Sequence, residues 1–260
     1  MNRNLIPLFG LTLFLGGCGS TEITTEHIKL PITVEDTTSI AEEVSTSWSP
    51  SFKHDNYLIE NPKGFILLCH QAGWSRGEYM ETAPIFNSMG YSCMAIDQRS
   101  GAEINGVENI VASMFNQDST TYVDAIPDIS FAIDKAFDKN NQAPIILLGS
   151  SYSSALALIL GPPNDKVKAI ISFSPGEYFE GITITDSLAN LNKPLWITSS
   201  VPENPAIVKL VSKSSPDFVT VFVPKGGEGN HGSRALYATY KTNGEYWESL
   251  TSFLASIEEL

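Results

Sequence analysis

The sequence predicts an α/β protein with a mainly parallel, twisted sheet and helices on both faces. Short apolar runs without alternation recur at 65–69, 92–96, 145–148, 169–173, 195–198 and 218–223, as in strands covered on both faces. Segments of helical length and composition fall between or after them at 78–89, 120–139, 152–160 and 244–259, with weaker ones near 186–191, 204–213 and 233–240. This alternation requires crossover connections, and crossovers produce parallel pairing. The chain has 260 residues, enough for one sizeable domain whose core needs no disulfide staples.

Composition narrows the chemistry. With 29 acidic against 16 basic residues, the chain offers no basic patch for phosphates, which argues against nucleic acid and polyanionic substrates. Cys69 and Cys93 lie in apolar strand-like runs and read as small buried hydrophobes. Neither cysteines nor histidines have metal-ligand spacing, so no metal or other cofactor is expected.

At the N-terminus, Arg3 precedes an apolar run from Leu5 to Leu15, followed by Leu15-Gly16-Gly17-Cys18. The run has the charge, length and small-residue ending of a secretory signal, and it is too short to span a bilayer. Its last four residues resemble a bacterial lipobox, which implies a signal peptide over 1–17 and a lipid on Cys18. The implied location is outside the cytoplasm, on a membrane face, with the outer membrane favoured by Gly19 rather than aspartate after the cysteine. Residues 18–45 are rich in Thr, Ser and Glu and read as a lipidated tether, although 28–34 has the composition of an edge strand. From about residue 46 the composition is that of a globular domain, which runs to 260.

The stretch from Pro144 to Leu156 joins an apolar run to a buried helix through Gly149-Ser150-Ser151-Tyr152-Ser153. A serine on such a tight strand-to-helix turn is pushed above the sheet, over a helix N-terminus that favours negative charge. Small residues are needed two before and two after that serine. Ser151 has Gly149 and Ser153 there, whereas Ser150 would have Leu148, and Ser153 falls within the helix if the strand ends at Leu148. Ser153 stands where a second glycine is usual. The run 65–69 ends in His70-Gln71-Ala72-Gly73, and 218–223 leads into the glycine-rich Gly226-Gly227-Glu228-Gly229-Asn230-His231-Gly232.

Together these parts resemble the α/β-hydrolase family over about 60–260, most closely its small, lidless, dienelactone-hydrolase-like branch. The resemblance implies a serine hydrolase with Ser151 as nucleophile and His231 as base, the latter in a loop able to swing over the sheet edge. It implies an oxyanion hole from the backbone N–H groups of Tyr152 and Ala72, with Gln71 as the alternative to Ala72. It places the acid after the 195–198 strand, where Glu203 lies, with Glu177 after the preceding strand as the rival. His70, at a strand end, is expected to order its loop. Asp97-Gln98-Arg99-Ser100-Gly101 is expected on the substrate side, and Trp74 and Tyr178 are candidate pocket residues. Because that branch often uses cysteine as nucleophile, serine here directs the expectation to ordinary carboxylic esters. The same triad permits peptidase or acyltransferase chemistry, and a non-catalytic binding module is the third reading. The short 174–194 segment leaves no room for a lid domain, so an open site taking a small-molecule ester is expected.

Overall fold

Five of the six unalternating apolar runs form strands covered on both faces, whereas the strand from 218–223 is partly exposed. The computed structural model describes residues 52–258. Within it the strands are β1 (His54–Tyr57), β2 (Gly64–Cys69), β3 (Tyr91–Ile96), β4 (Ile145–Ser150), β5 (Val167–Phe173), β6 (Leu195–Thr198) and β7 (Val219–Phe222). The helices are α1 (Ala83–Ser88), α2 (Ile126–Lys139), α3 (Tyr152–Leu160), α4 (Ile184–Ser187), α5 (Asn204–Leu210) and α6 (Asn243–Ser256). The expected signal over 1–17, the lipidated Cys18, the tether and the edge strand at 28–34 lie outside the described residues.

The seven strands form one sheet in the order β1-β3-β2-β4-β5-β6-β7, with β1 antiparallel to β3 and all other pairs parallel. One face packs on α2, α3, α4 and α5 through residues such as Leu67, Ile129, Leu156, Ile184 and Ile207, and the other packs on α1 and α6 through Leu68, Phe86, Trp196 and Leu250. Burial of each such side chain contributes about 1.5–3 kcal/mol.

The chain reverses its direction across the sheet between β2 and β4, and at such a switch point the loops leaving the strand ends diverge to open a crevice. Cys69 pairs with Gly149 there, so the loop after β2 and the turn after β4 emerge side by side.

Several boundaries differ from the sequence expectation. β4 does not end at Leu148: Gly149 and Ser150 continue it by pairing with Ser172 and Phe173. The segment 78–89 is not one helix but a 3₁₀ turn, Arg76–Tyr79, followed by α1. Pro84 in the first turn of α1 restarts the helix, because proline lacks the N–H needed to continue an earlier one. Pro127 similarly marks the start of α2, delayed from residue 120 by a 3₁₀ turn at Val123–Ala125. The segment 233–240 shrinks to a 3₁₀ turn, Ser233–Leu236. β1 was not expected, because His-Asp-Asn-Tyr has no apolar run and is a strand only through its pairing with β3.

Candidate active site

The turn after β4 holds Ser151 at φ 57° and ψ −119°, a backbone conformation that non-glycine residues rarely adopt. Its N–H donates to Phe173 O at 2.8 Å, and its carbonyl accepts from Ser154 N and Ala155 N. The strained turn is therefore tied to both β5 and α3. The tightness requires Gly149, since a Cβ there would lie 2.5 Å from the backbone of Ser153 and Ser154. Ser153 needs no glycine. Its buried hydroxyl donates to His70 O and accepts from Gln98 Nε2 at 2.7 Å, which pins the elbow to the end of β2.

His231 Nε2 lies 2.8 Å from Ser151 Oγ, and its Nδ1 is hydrogen-bonded to Glu203 Oε1. Burial pushes the Glu203 carboxyl upward. Bonds from His231, the Ser200 hydroxyl and the Ser200 N–H outweigh that effect, with the His231 charge adding to them, and hold it at about 2. An ionised Glu203 can only accept, so Nδ1 carries the proton and Nε2 is left to accept from Ser151. The other carboxylate oxygen, Oε2, accepts from Ser200 Oγ at 2.8 Å and from Ser200 N and Ser174 Oγ at 3.0 Å. Ser174, at φ 52°, also accepts from Gly232 N at 3.0 Å, joining the acid to the histidine loop.

Glu177, the rival acid, is not near the imidazole. Its carboxylate accepts from Ile184 N, Thr185 N and Thr185 Oγ1 and is consumed in starting α4.

On the other side of the turn, buried His70 orders the loop after β2. Burial pushes its imidazole down to about 4, so the ring is neutral. Nε2 accepts from Gln98 N, which leaves Nδ1–H to donate to Gln71 O at 2.8 Å. The carbonyl and N–H of a trans peptide point in opposite directions, so holding Gln71 O inward turns the Ala72 N–H outward. Gln71 is corrected as an alternative oxyanion donor, because its N–H is occupied by Glu78 Oε2 at 2.7 Å. Ala72 and Tyr152, the latter at the first position of α3, carry the N–H groups of the expected pair.

A cavity of about 850 Å³ adjoins these groups, lined among others by Ala72, Ser100, Thr121, Tyr122, Tyr178 and Phe179. The Tyr178 hydroxyl donates to Ser174 O at 3.0 Å. Trp74, expected in the pocket, does not line this cavity: its carbonyl accepts from Ala102 N and Asn109 Nδ2, so its backbone is drawn into the loop scaffold. Of the 97–101 loop, only Ser100 and Gly101 face the cavity. Asp97 pairs with Arg76, Arg99 pairs with Asp128, and Gln98 bonds Tyr152 and Ser153. Ser151 itself is only 9 % exposed. Sequence reasoning missed Ser174 and Ser200. The S-x-x-E spacing from Ser200 to Glu203 is a capping-box signal that marks the second of them.

The profile of the serine aminopeptidase S33 family matches residues 60–216, more than half of the chain. The chain belongs to that family. The S33 match takes in the oxyanion loop, the elbow and Glu203 and ends before His231. No curated protein sequence matches the chain. Among solved structures, a dienelactone hydrolase from Anabaena variabilis superposes with a TM-score of 0.61 at 12 % identity, covering 79 % of this chain and 91 % of the other. Est1E from Butyrivibrio proteoclasticus, solved with ferulic acid bound, gives 0.59 at 15 % identity over 79 % and 94 % of the two chains. A monoacylglycerol lipase from Paleococcus ferrophilus gives 0.56 at 12 % identity over 79 % and 98 %. The fold of this S33 member is therefore that of the α/β hydrolases, and the chain is a serine hydrolase.

Proposed function

We propose that the protein hydrolyses neutral carboxylic esters with Ser151, His231 and Glu203 as its catalytic triad. The observation that carries this reading is the unbroken relay from Ser151 Oγ through both imidazole nitrogens to Glu203. His231 Nε2 takes the Ser151 proton as Oγ bonds to the ester carbonyl carbon. The negative charge that develops on the carbonyl oxygen is met by the N–H groups of Ala72 and Tyr152. Collapse of the adduct breaks the bond to the alcohol oxygen, which leaves with the proton from His231. Water then attacks the acyl-enzyme with His231 again as base, and carboxylic acid and free Ser151 are regenerated.

The cavity supports a neutral substrate. Glu180 is the sole charged residue of its lining, and no basic side chain is there to hold a substrate carboxylate. A dienelactone hydrolase, an esterase and a monoacylglycerol lipase share the fold, and ester chemistry is the class common to the names they carry.

The test is turnover of a short-chain aryl ester. Ser151→Ala should lose about 10⁴- to 10⁶-fold in kcat, as removal of a triad nucleophile does, and wild-type turnover by that variant would refute the assignment. Peptidase activity, the reading that the family's description favours, is separated by offering aminoacyl arylamides beside the ester.

We also propose that Cys18 is lipidated and anchors the enzyme on a membrane face outside the cytoplasm. Arg3, the apolar run and Leu15-Gly16-Gly17-Cys18 support this. Cys18→Ala should move activity from the membrane to the soluble fraction, and an unchanged distribution would count against it. No helix among the described residues is long and apolar enough to cross a membrane.

A further inference from the structure

Glu78 has no part in the relay, yet it is fully buried in the 3₁₀ turn Arg76–Tyr79, where a carboxyl group is rarely left. Its carboxylate bonds two of the three loops that build the site, and one of those two is bonded to the third. Oε2 accepts the Gln71 N–H of the oxyanion loop at 2.7 Å. Oε1 accepts the hydroxyl of Ser233, two residues past His231, at 2.5 Å. The elbow is reached through Ser233 rather than by the carboxylate itself. Ser150 Oγ in turn accepts from Ser233 N at 2.9 Å, and the Glu78 carbonyl accepts from Tyr237 at 2.7 Å. Gly232 is fitted against the same cluster, since a Cβ there would lie 2.7 Å from Gln71 Oε1 and 2.8 Å from Ser150 Oγ.

We propose that Glu78 is a positioning residue that clamps the oxyanion loop and the histidine loop onto the nucleophile elbow. The inference rests on the triad reading above and extends it to how the loops are held. One side chain thus bonds the oxyanion loop and the histidine loop, and the histidine loop is bonded in turn to the elbow through Ser233 N and Ser150 Oγ. The Gln71 N–H fixes one peptide of the oxyanion loop, while His70 fixes the next, so the Ala72 N–H is aimed only while both hold. The Ser233 contact fixes the far side of the loop that carries His231. Removal of the clamp loosens groups that act on the transition state and leaves the cavity lining in place, so its effect falls on kcat rather than KM. A side chain with one carbonyl oxygen and one amide keeps much of the geometry: oxygen to Gln71 N, amide to the Ser233 hydroxyl, which turns from donor to acceptor.

The experiment compares wild type, Glu78→Ala, Glu78→Gln and Ser233→Ala on an aryl ester and against an aryl boronic acid as transition-state mimic, with Ser151 labelling by a fluorophosphonate as control. Glu78→Ala should lower kcat about 100-fold with KM within threefold, and boronic acid affinity should fall by a similar factor. Glu78→Gln should recover most of the loss. Ser233→Ala, which cuts only the histidine-loop arm, should lower kcat about tenfold, and it decides the matter if Glu78→Ala does not fold. A folded Glu78→Ala enzyme with kcat near wild type overturns the clamp, as does a loss confined to KM or a Ser233→Ala enzyme with unchanged kcat. In each of those cases labelled wild type leaves the esterase reading standing, whereas wild type that resists labelling overturns both.

Discussion

Glu203 and Glu78 both serve the loops around Ser151, but from regions built in opposite ways. Glu203 sits in a loop with about a third of its side chain exposed, accepts from His231, Ser200 and Ser174, and is held at about 2. Glu78 is sealed off from water. Its donors from Ser233 and Gln71 do not offset burial, which pushes its carboxyl up to about 7. Glu203 keeps more donors and partial access to water, while Glu78 has fewer donors and no water, and the outcome is reversed. One carboxylate stays charged well into the acid range and can hold an imidazolium. The other lies near its own titration point and acts through its shape and hydrogen bonds.

The largest effect that can break this contrast is expected at Glu203. Glu203→Ala should lower kcat for an aryl ester by about 10⁴-fold, because the imidazole loses both its tautomer and its orientation. A loss under tenfold would mean that another group orients His231. The clamp variants at Glu78 come next, with the smaller loss in kcat given above.

Stability sharpens the contrast in the opposite direction. The folded value of Glu78 is above its ordinary 4.5, so the folded state holds the proton more tightly than the unfolded chain. The ionisation penalty is absent below about pH 4.5, grows between 4.5 and 7, and is fully present above 7. It faces His231, Tyr79, Tyr237 and Cys69, of which the last three are held neutral by burial. Glu78→Gln removes the ionisable group and should gain up to about 3 kcal/mol relative to wild type between pH 5 and pH 8. Denaturant melts at the two pH values check this, and a constant difference would show that the carboxyl is not raised. One substitution would then reduce turnover and increase stability at alkaline pH.

Away from the carboxylates, Gly149→Ala should destabilise the fold by about 1–3 kcal/mol, since its Cβ meets α3 backbone that cannot move aside cheaply. A thermal melt reads it. The smallest expected signal is at Cys69 and Cys93, which are buried with raised thiol values. Neither should react with a thiol reagent in the folded protein, and both should react after denaturation.

How much was legible beforehand follows from the same physics. β2 to β6 were legible because burial on both faces leaves a continuous apolar run, and α3 because it starts where the elbow ends. β1 was illegible, since an edge strand is made by its neighbour rather than by its own side chains. Ser151 and His231 could be placed from the turn and the glycine-rich loop. Chain order favoured Glu203 over Glu177 only through the family resemblance, because each carboxylate follows a strand and only three-dimensional geometry shows that Glu177 caps α4. Gln71 left the oxyanion hole for a similar reason: its N–H is taken by a residue seven positions away. Glu78 gave no signal, because its partners at 71 and 233 are a backbone N–H and a serine far apart along the chain.

The most direct test of the central claim is covalent labelling with a fluorophosphonate followed by peptide mass mapping. One adduct should form, on Ser151, and it should disappear in Ser151→Ala. It should also form far more slowly in Glu203→Ala, where His231 is present but no longer oriented. An adduct on another serine, or a wild-type protein that takes up no label, would contradict the assignment of Ser151, His231 and Glu203 as one catalytic unit.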